Sequence, residues 1–324
     1  MKVEVLKGGW IKQGSVIAYP HDWQRPAKTE EWIYEKLIEK KVNSRYVEFI
    51  SFPWATLIDS IKRERIKKVK ELIDTLKNIP VKKTLFRATA CQHIDITEII
   101  FLLREIGVTD LFWSHKTQTK SRFDNLRIHL LPLYPVSFYL NRFNNIKPLT
   151  ERRYIYSFVG AVNLSSYISN VRESILKYKD RSNSLILERD EWHFENDVYG
   201  DNLTEQYKQD SNEKMSIYNR VLEDTIYSLC PSGSGPNTIR YWESLAFGAI
   251  PVVLSDDFDE NGLFGGAVKI KEEYLEKKIN EIEFELKNHK LPTLAAQSLP
   301  EEWIERLIMW IFNDNKKLIM LAKG

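Results

Sequence analysis

The sequence is poor in cysteine and has no long apolar run. Its two cysteines, Cys91 and Cys230, lie far apart in apolar surroundings, which is typical of reduced, buried thiols and provides neither a disulfide framework nor a zinc site. The longest apolar stretch, residues 246–254, is interrupted by Gly248 and Pro251, whereas a membrane-spanning helix needs about 20 apolar residues. These absences predict a reduced, intracellular protein without a transmembrane segment.

The sequence also lacks an excess of charge of one sign. It contains 47 basic and 45 acidic residues, a net charge of +2, so the whole molecule is not a dedicated polyanion binder and nucleic acid is not the expected partner. The first residues contain no apolar region followed by a small-residue cleavage site, and we therefore expect no secretory signal and a cytoplasmic location. With 324 residues, of which 43% are hydrophobic, the chain is long enough for about two folded domains.

The order of the predicted elements indicates an α/β protein. Apolar extended runs predict strands at residues 16–19, 46–50, 84–90, 110–114 and 127–131. Amphipathic spacing predicts helices at residues 57–76 and 97–105, the second closed by Gly107. Strands that alternate with helices predict βα units over a mainly parallel sheet, and this first domain is expected to end near residues 132–135.

A second α/β cycle follows a polar inter-domain link at residues 141–153. Its predicted strands are residues 154–160, 184–187, 225–230 and 249–254. Its predicted helices are residues 167–178, 213–224 and 237–247, and an amphipathic helix at residues 300–321 closes the chain. The sequence thus predicts two successive α/β domains.

A glycine-rich turn between a strand and a helix is the strongest functional signal. Residues 231–236 read Pro-Ser-Gly-Ser-Gly-Pro, and Gly233 and Gly235 let the backbone approach a ligand closely. Such a turn brings free backbone N–H groups and the positive end of a helix dipole to one point, an arrangement that holds a diphosphate. The turn is neither a Walker loop nor a Gly-x-Gly-x-x-Gly fingerprint.

Arg240 and Glu243 lie three residues apart on the following helix and therefore share a face. The forked donors of Arg240 suit a phosphate oxygen, and the Glu243 carboxylate suits the two hydroxyls of a ribose. The alternative is a surface ion pair on an ordinary strand-turn-helix unit.

Six ordered motifs in residues 154–254 resemble the exostosin-like glycosyltransferases, glycosyltransferase family 47. They are Phe158-Val-Gly160, Arg172, Leu229-Cys-Pro-Ser-Gly233, Thr238-Ile-Arg240, Glu243-Ser-Leu245 and Gly248-Ala-Ile-Pro-Val252. The N-terminal half agrees with the family only in its βα rhythm and in Leu131-Pro-Leu-Tyr-Pro135.

The resemblance implies a GT-B fold, in which two Rossmann-like domains face each other across a cleft. The N-terminal acceptor domain would be residues 1–145 and the C-terminal donor-nucleotide domain residues 146–300, with a helix at residues 301–324 packing back toward the first domain. Family members are inverting transferases that use nucleotide-activated sugars, mostly UDP-linked.

The resemblance also implies which residues bind the donor. It places Arg172 and Arg240 near the diphosphate and Glu243 on the ribose. The other predicted donor contacts are Gly160, Ser232, Gly233, Ser234, Gly235, Asn237 and Thr238.

The animal members of this family carry a membrane anchor and luminal disulfides, neither of which is expected from this sequence. The difference predicts a bacterial-type cytoplasmic enzyme. Its acceptor would be a saccharide or lipid-linked saccharide in capsule or lipopolysaccharide synthesis.

The expected mechanism needs a general base but no metal cofactor. Helix dipole, backbone N–H groups and arginines can neutralise the charge on a leaving diphosphate, whereas inversion needs a base from the N-terminal domain. The predicted base is His93, oriented by Asp95, just after the strand at residues 84–90; helix capping and substrate binding are its alternative roles. Further candidates for the cleft are His21, Asp22, His115, Glu195 and Asp197.

Two alternatives to a metal-independent transferase stay open. Asp257 and Asp259 follow an apolar strand, as the metal-binding pair of a GT-A transferase does, although they lie late in the chain for that fold and also fit a loop near the donor or a solvated turn. The chain is alternatively a catalytically inert module that binds a nucleotide-sugar or a polyanion.

Residues 62–83 form a basic segment with nine basic and three acidic residues. The segment predicts either peripheral contact with the inner face of an anionic membrane or attraction of an acidic glycan; the alternative is a solvated basic helix. The basic residues are Lys62, Arg63, Arg65, Lys67, Lys68, Lys70, Lys77, Lys82 and Lys83.

Overall fold

The computed structural model describes residues 2–81, 84–140, 146–191, 205–259, 266–288 and 299–312. These residues form two α/β units. Unit 1 contains the described residues up to Leu133 and those from Glu301 onward, and unit 2 runs from Tyr134 to Pro300. Within the described residues, no helix is both long and apolar enough to cross a membrane.

The helices alternate with strands along much of the chain, as predicted. Those in the described residues are α1 (Thr29–Glu39), α2 (Trp54–Lys62), α3 (Ile66–Leu76), α4 (Ile100–Glu105), α5 (Val136–Leu140), α6 (Val171–Ile175), α7 (Glu205–Glu223), α8 (Ile239–Ala246), α9 (Leu275–Lys287) and α10 (Pro300–Phe312).

Unit 1 is built on an eight-stranded sheet with the strand order β1-β2-β3-β4-β5-β6-β8-β7. The strands are β1 (Glu4–Val5), β2 (Ile11–Gln13), β3 (Val16–Ala18), β4 (Val47–Ser51), β5 (Phe86–Cys91), β6 (Asp110–Trp113), β7 (Arg122–Phe123) and β8 (Leu126–Leu130). The central strands β3, β4, β5, β6 and β8 pair in parallel, which confirms the predicted parallel sheet. The short edge strands β1, β2 and β7 pair antiparallel and were not predicted.

The four central strands β3 to β6 are buried along their whole length. This pattern is typical of parallel strands covered on both faces. The apolar core of unit 1 includes five fully buried side chains, those of Trp10, Ile50, Trp54, Leu103 and Leu111. The sheet therefore holds the segments that follow its strands at fixed positions.

The prediction of one continuous helix at residues 57–76 is wrong, because the chain forms two helices there. Helix α2 ends at Lys62 and α3 begins at Ile66. Between them Glu64 has a φ of 54°, and its N–H donates to the Ile61 carbonyl at 3.1 Å. Apolar residues recur at helical spacing on both sides of the break, so the periodicity alone did not reveal it.

Unit 2 contains a five-stranded, all-parallel sheet with the order β10-β9-β11-β12-β13. The strands are β9 (Tyr154–Ala161), β10 (Ser184–Arg189), β11 (Thr225–Pro231), β12 (Ile250–Leu254) and β13 (Val268–Ile270). The first four match predicted strands, and β13 was not predicted. Since all strands run in parallel, their carboxyl ends lie along one edge of the sheet.

Three helices of the second half differ from the predicted ones in length. The helix predicted at residues 167–178 is only α6, followed by a 3₁₀ turn at Leu176–Tyr178. Helix α7 begins at Glu205, eight residues before the predicted start. The predicted closing helix is α10 as far as Phe312, and its remainder lies outside the described residues.

Candidate functional site

The glycine-rich turn lies at the carboxyl end of β11, next to the carboxyl end of β9. Thr238 has extended backbone angles and precedes the first residue of α8, and its side chain makes no capping hydrogen bond. The turn is held by backbone contacts: the Gly233 N–H donates to the Gly235 carbonyl at 3.1 Å, and the Ile168 N–H donates to the Gly233 carbonyl at 3.0 Å. The predicted strand-turn-helix unit is therefore present.

Arg172 of α6 is buried beside this turn. Its Nε donates to the Ser232 carbonyl at 2.7 Å, and its Nη1 donates to the Ala161 carbonyl at 2.8 Å and to the Tyr167 hydroxyl at 3.0 Å. The guanidinium lies 4.1 Å from the centre of the Tyr167 ring. These contacts tie the end of β9 to the turn after β11 through one cation.

Arg240 of α8 reaches the same place from the other side of the turn. It is 7% exposed, and its Nη2 donates to the Val159 carbonyl. Its Nε and Nη1 are buried and have no hydrogen-bond partner among the described residues. A buried donor without an acceptor costs about 1–3 kcal/mol, and more in a charged group, so two N–H groups of this side chain are open to a hydrogen-bond acceptor.

Phe158 and Gly160 explain how the two arginines approach each other. The Phe158 ring centre lies 4.4 Å from Cζ of Arg240 and 5.8 Å from Cζ of Arg172. A Cβ atom on Gly160 would lie 2.6 Å from Nη2 of Arg240, and one on Gly233 would lie 3.2 Å from Nη2 of Arg172. The two glycines thus leave room for the guanidinium groups.

The electrostatics at this edge of the sheet favour an anion. Burial and the nearby Arg240 lower the pKa of Arg172 to about 10. Among the described residues, neither arginine forms an ion pair with a carboxylate. Two adjacent buried cations are stabilised by an anion that offers several oxygen atoms, such as a diphosphate.

Glu243 is fully buried and already hydrogen-bonded. It is 1% exposed; its Oε1 accepts the Ser137 N–H at 3.0 Å and its Oε2 accepts the Tyr218 hydroxyl at 2.7 Å. Burial raises the pKa of this carboxyl. The side chain holds α5 and α7 against α8, and its binding of a ribose stays a prediction.

The remaining residues of the turn make contacts within unit 2. The Ser232 hydroxyl lies 3.1 Å from that of Ser169, and the Ser234 hydroxyl donates to that of Ser166 at 2.9 Å. The Asn237 Oδ1 accepts the Trp242 indole N–H at 3.1 Å. These bonds fix the turn, and Gly235, Asn237 and Thr238 are brought to the same edge as the arginines.

His93 follows β5 in unit 1, where a polar cluster is found. Its Nδ1 accepts the Asp95 N–H at 3.0 Å, and its Nε2 lies 3.2 Å from Oδ1 of Asp59. The Asp95 carboxylate is 3.8 Å from Nδ1 and pairs with Lys62. The structure thus brings His93 and Asp95 together, and it adds Asp59 as the carboxylate on Nε2.

The other candidates for the cleft are scattered. His21 is exposed and lies edge-on to Tyr19, and Asp22 pairs with Lys68 at 2.8 Å. His115 is 8% exposed and follows β6. Glu195 and Asp197 lie outside the described residues.

Two further features were predicted from the sequence, an acidic pair after an apolar strand and a basic segment. Asp257 and Asp259 follow β12, and among the described residues no three His, Cys, Asp or Glu side chains are grouped to hold a metal ion. Within the described residues the basic segment runs from Lys62, the last residue of α2, through α3 to residue 81, with Lys67 and Lys70 exposed. Lys82 and Lys83 lie outside the described residues.

Sequence reasoning missed several side chains around these groups. Phe158 was quoted as part of a motif without a role, and Tyr167 and Tyr218 carried no motif. Asp59 reaches His93 from α2, and Gln24, in the segment before α1, hydrogen-bonds to Asp59. No local sequence pattern indicates either contact. Of these side chains, Phe158 is the one that lies in a recognised motif, Phe-x-Gly, so its contact with the arginines could have been predicted.

Comparison with known families agrees with this geometry. A family model of the Exostosin GT47 domain matches residues 91–260, more than half of the 324 residues. The match defines the class of the protein as a glycosyltransferase. The chain belongs to the exostosin GT47 family, which confirms the resemblance of the six motifs; the bacterial type stays a prediction. A search of curated proteins gives no match.

Proposed function

We propose that this glycosyltransferase is inverting and metal-independent, and that it moves a sugar from a nucleotide-sugar, with UDP as the nucleotide, to a saccharide hydroxyl. The GT-B architecture belongs to the proposal, with the donor nucleotide bound by unit 2 and the acceptor by unit 1. The proposed setting is the cytoplasm, during capsule or lipopolysaccharide synthesis. Peripheral contact of the basic segment with an anionic membrane is part of the same proposal.

The unpaired donors of Arg240 carry this proposal. Nε and Nη1 are buried without a partner among the described residues, and Arg172 lies beside the same Phe158 ring. Burying these donors without a partner costs free energy, and an anionic ligand that accepts their hydrogen bonds offsets this cost on binding. The uncapped start of α8 adds backbone N–H groups and a positive dipole end.

The chemistry follows from the leaving group. Breaking the anomeric C–O bond sends its electron pair to the diphosphate, whose growing charge Arg172, Arg240 and the α8 N-terminus stabilise. The acceptor oxygen forms the new bond to the anomeric carbon from the opposite face. Its proton passes to a base in unit 1, for which the sequence predicts His93, oriented by Asp95.

Binding of UDP tests the donor site. We expect isothermal titration to show UDP binding to the wild-type protein, and Arg240→Gln and Arg172→Gln to weaken it about 10- to 100-fold, because a charge-assisted hydrogen bond contributes about 1.5–3 kcal/mol. Arg220→Gln is the matched control: it removes an exposed arginine of α7 and leaves the Kd unchanged. Absence of UDP binding by the wild type contradicts the donor site.

A transfer assay separates the alternatives. UDP release from UDP-glucose, UDP-galactose, UDP-N-acetylglucosamine and UDP-glucuronate is followed with methyl hexopyranosides as acceptors, with and without excess EDTA. Activity in EDTA supports the metal-independent reaction, whereas activity only with Mg²⁺ or Mn²⁺ favours a role of Asp257 and Asp259. UDP binding without any release favours the inert binding module.

A further inference from the structure

Both ring nitrogens of His93 are engaged within unit 1. Because Nδ1 accepts the Asp95 N–H at 3.0 Å, it carries a lone pair, and the proton of the neutral ring is on Nε2. That N–H faces Oδ1 of Asp59 at 3.2 Å. The imidazole therefore offers no free lone pair to a substrate hydroxyl, whereas Asp59 is an acceptor with lone pairs left over.

The Asp59 carboxylate is held in place by a chain of hydrogen bonds. Gln24 donates its amide N–H to Oδ2 of Asp59, and Gln92 donates to Oε1 of Gln24 at 2.6 Å. Gln92 is anchored in turn by Glu30, whose Oε1 accepts the Gln92 N–H at 3.2 Å. Two N–H donors, one on each oxygen, thus fix the carboxylate while its remaining lone pairs stay open.

His115 gives a second, independent indication of a ligand at this end of the sheet. It lies close to His93 and to the backbone of Gln92. Its Nδ1 is buried and has no hydrogen-bond partner among the described residues. Burial lowers the pKa of this imidazole to about 3, so it stays neutral and accepts a hydrogen bond without taking the proton. A hydroxyl is the group that such a nitrogen recognises.

We propose that Asp59 takes the proton from the acceptor hydroxyl, and that His93 and Gln24 position its carboxylate. The proposal rests on the proposed function and names the base of that reaction. The acceptor oxygen bonds to the anomeric carbon as the anomeric C–O bond to the diphosphate breaks, and the hydroxyl proton goes to Asp59. The proton returns to water before the next turnover.

The UDP-release assay with the same donor and acceptor panel distinguishes Asp59 from His93. We expect Asp59→Asn to lower kcat by about 10²–10⁴-fold, the usual contribution of a general base. His93→Gln keeps an N–H at the position of Nε2 and should lower kcat by less than about tenfold. Asp74→Asn, a carboxylate-to-amide change on exposed α3, is the control and leaves kcat unchanged.

Chemical rescue separates a base from a structural carboxylate. Formate should restore part of the activity of Asp59→Gly, because a small carboxylate fills the space and takes the proton, and UDP binding should be normal in every variant. A second measurement needs no activity: ¹⁵N NMR should show His93 as the Nε2–H tautomer. An active Asp59→Asn, an inactive His93→Gln, absent formate rescue or an Nδ1–H tautomer each overturns the proposal. Wild-type protein that releases no UDP contradicts the proposed function itself.

Discussion

A single missing Cβ atom decides where Arg240 lies. Gly160, the last but one residue of β9, lies next to the guanidinium, and the same strand supplies the Phe158 ring and the Val159 carbonyl that contact the arginine. The position of the guanidinium therefore depends on the backbone of β9 as well as on the arginine side chain. The Phe-x-Gly motif is explained by this packing.

Gly160→Ala should weaken UDP binding by about tenfold or more, because a new methyl group 2.6 Å from Nη2 forces the guanidinium away from its ligand, and one charge-assisted bond contributes about 1.5–3 kcal/mol. Gly233→Ala places its Cβ at 3.2 Å from Arg172 and should have a smaller effect. Isothermal titration with UDP checks both. An unchanged Kd in Gly160→Ala shows that Arg240 does not contact the nucleotide.

Among the described helices, α1, α2, α4 and α8 are each followed by a residue of positive φ, and this residue is glycine in two of them. Helices α4 and α8 end before Gly107 and Gly248, with φ values of 78° and 68°. Helices α1 and α2 end before Lys41 and Glu64, with φ values of 51° and 54°. In each case the residue with positive φ donates to the carbonyl three residues earlier, as in the Schellman motif.

Glu64→Gly should raise the free energy of unfolding by about 1 kcal/mol, because glycine adopts positive φ without the steric cost of a Cβ atom. Lys67→Gly, in the exposed first turn of α3, should instead lower it by about 1 kcal/mol. Urea denaturation measures both. If Glu64→Gly lowers the free energy of unfolding, the positive φ of Glu64 does not carry the expected steric cost.

The helix ends show which parts of the fold the sequence predicts. Gly107 marked the end of α4, because glycine at a helix end is a local signal. Glu64 carries no such signal, so α2 and α3 were predicted as one helix. The same limit holds for the candidate site: linear motifs predicted roles for Arg172 and Arg240, which the structure places beside the same ring, whereas Asp59 contacts His93 only through tertiary structure.

The net charge of the whole molecule is close to zero, but two buried groups have pKa values that differ strongly between the folded and the unfolded chain. Burial lowers the pKa of His115 from 6.5 to about 3. Burial raises the pKa of Glu30 from 4.5 to about 8. Both residues belong to unit 1, so the stability of this unit is expected to depend on pH in both directions.

The sign follows from which state binds the proton. Between pH 3 and 6.5 the unfolded chain protonates His115 more readily, so stability is lost as the pH falls through this range. Between pH 4.5 and 8 the folded chain keeps the Glu30 proton, so stability is lost as the pH rises. The two contributions oppose each other where the ranges overlap.

We therefore expect the free energy of unfolding to decline above about pH 6.5 and below about pH 4.5. Glu30→Gln should reduce the alkaline decline, and His115→Gln the acid decline. Glu105→Gln, at an exposed position of α4, should change neither. Urea denaturation across this pH range provides the measurement, and a decline in Glu30→Gln as steep as in the wild type contradicts the assignment.

Unit 1 is discontinuous in the chain, since it takes up residues before Tyr134 and again after Pro300. Its last segment contributes Trp303, Ile304 and Ile311, each no more than 1% exposed. During synthesis the ribosome delivers all of unit 2 before these three side chains appear. Unit 1 therefore lacks part of its core until the residues after Pro300 have been translated, and truncation before Trp303 is expected to destabilise unit 1 rather than unit 2.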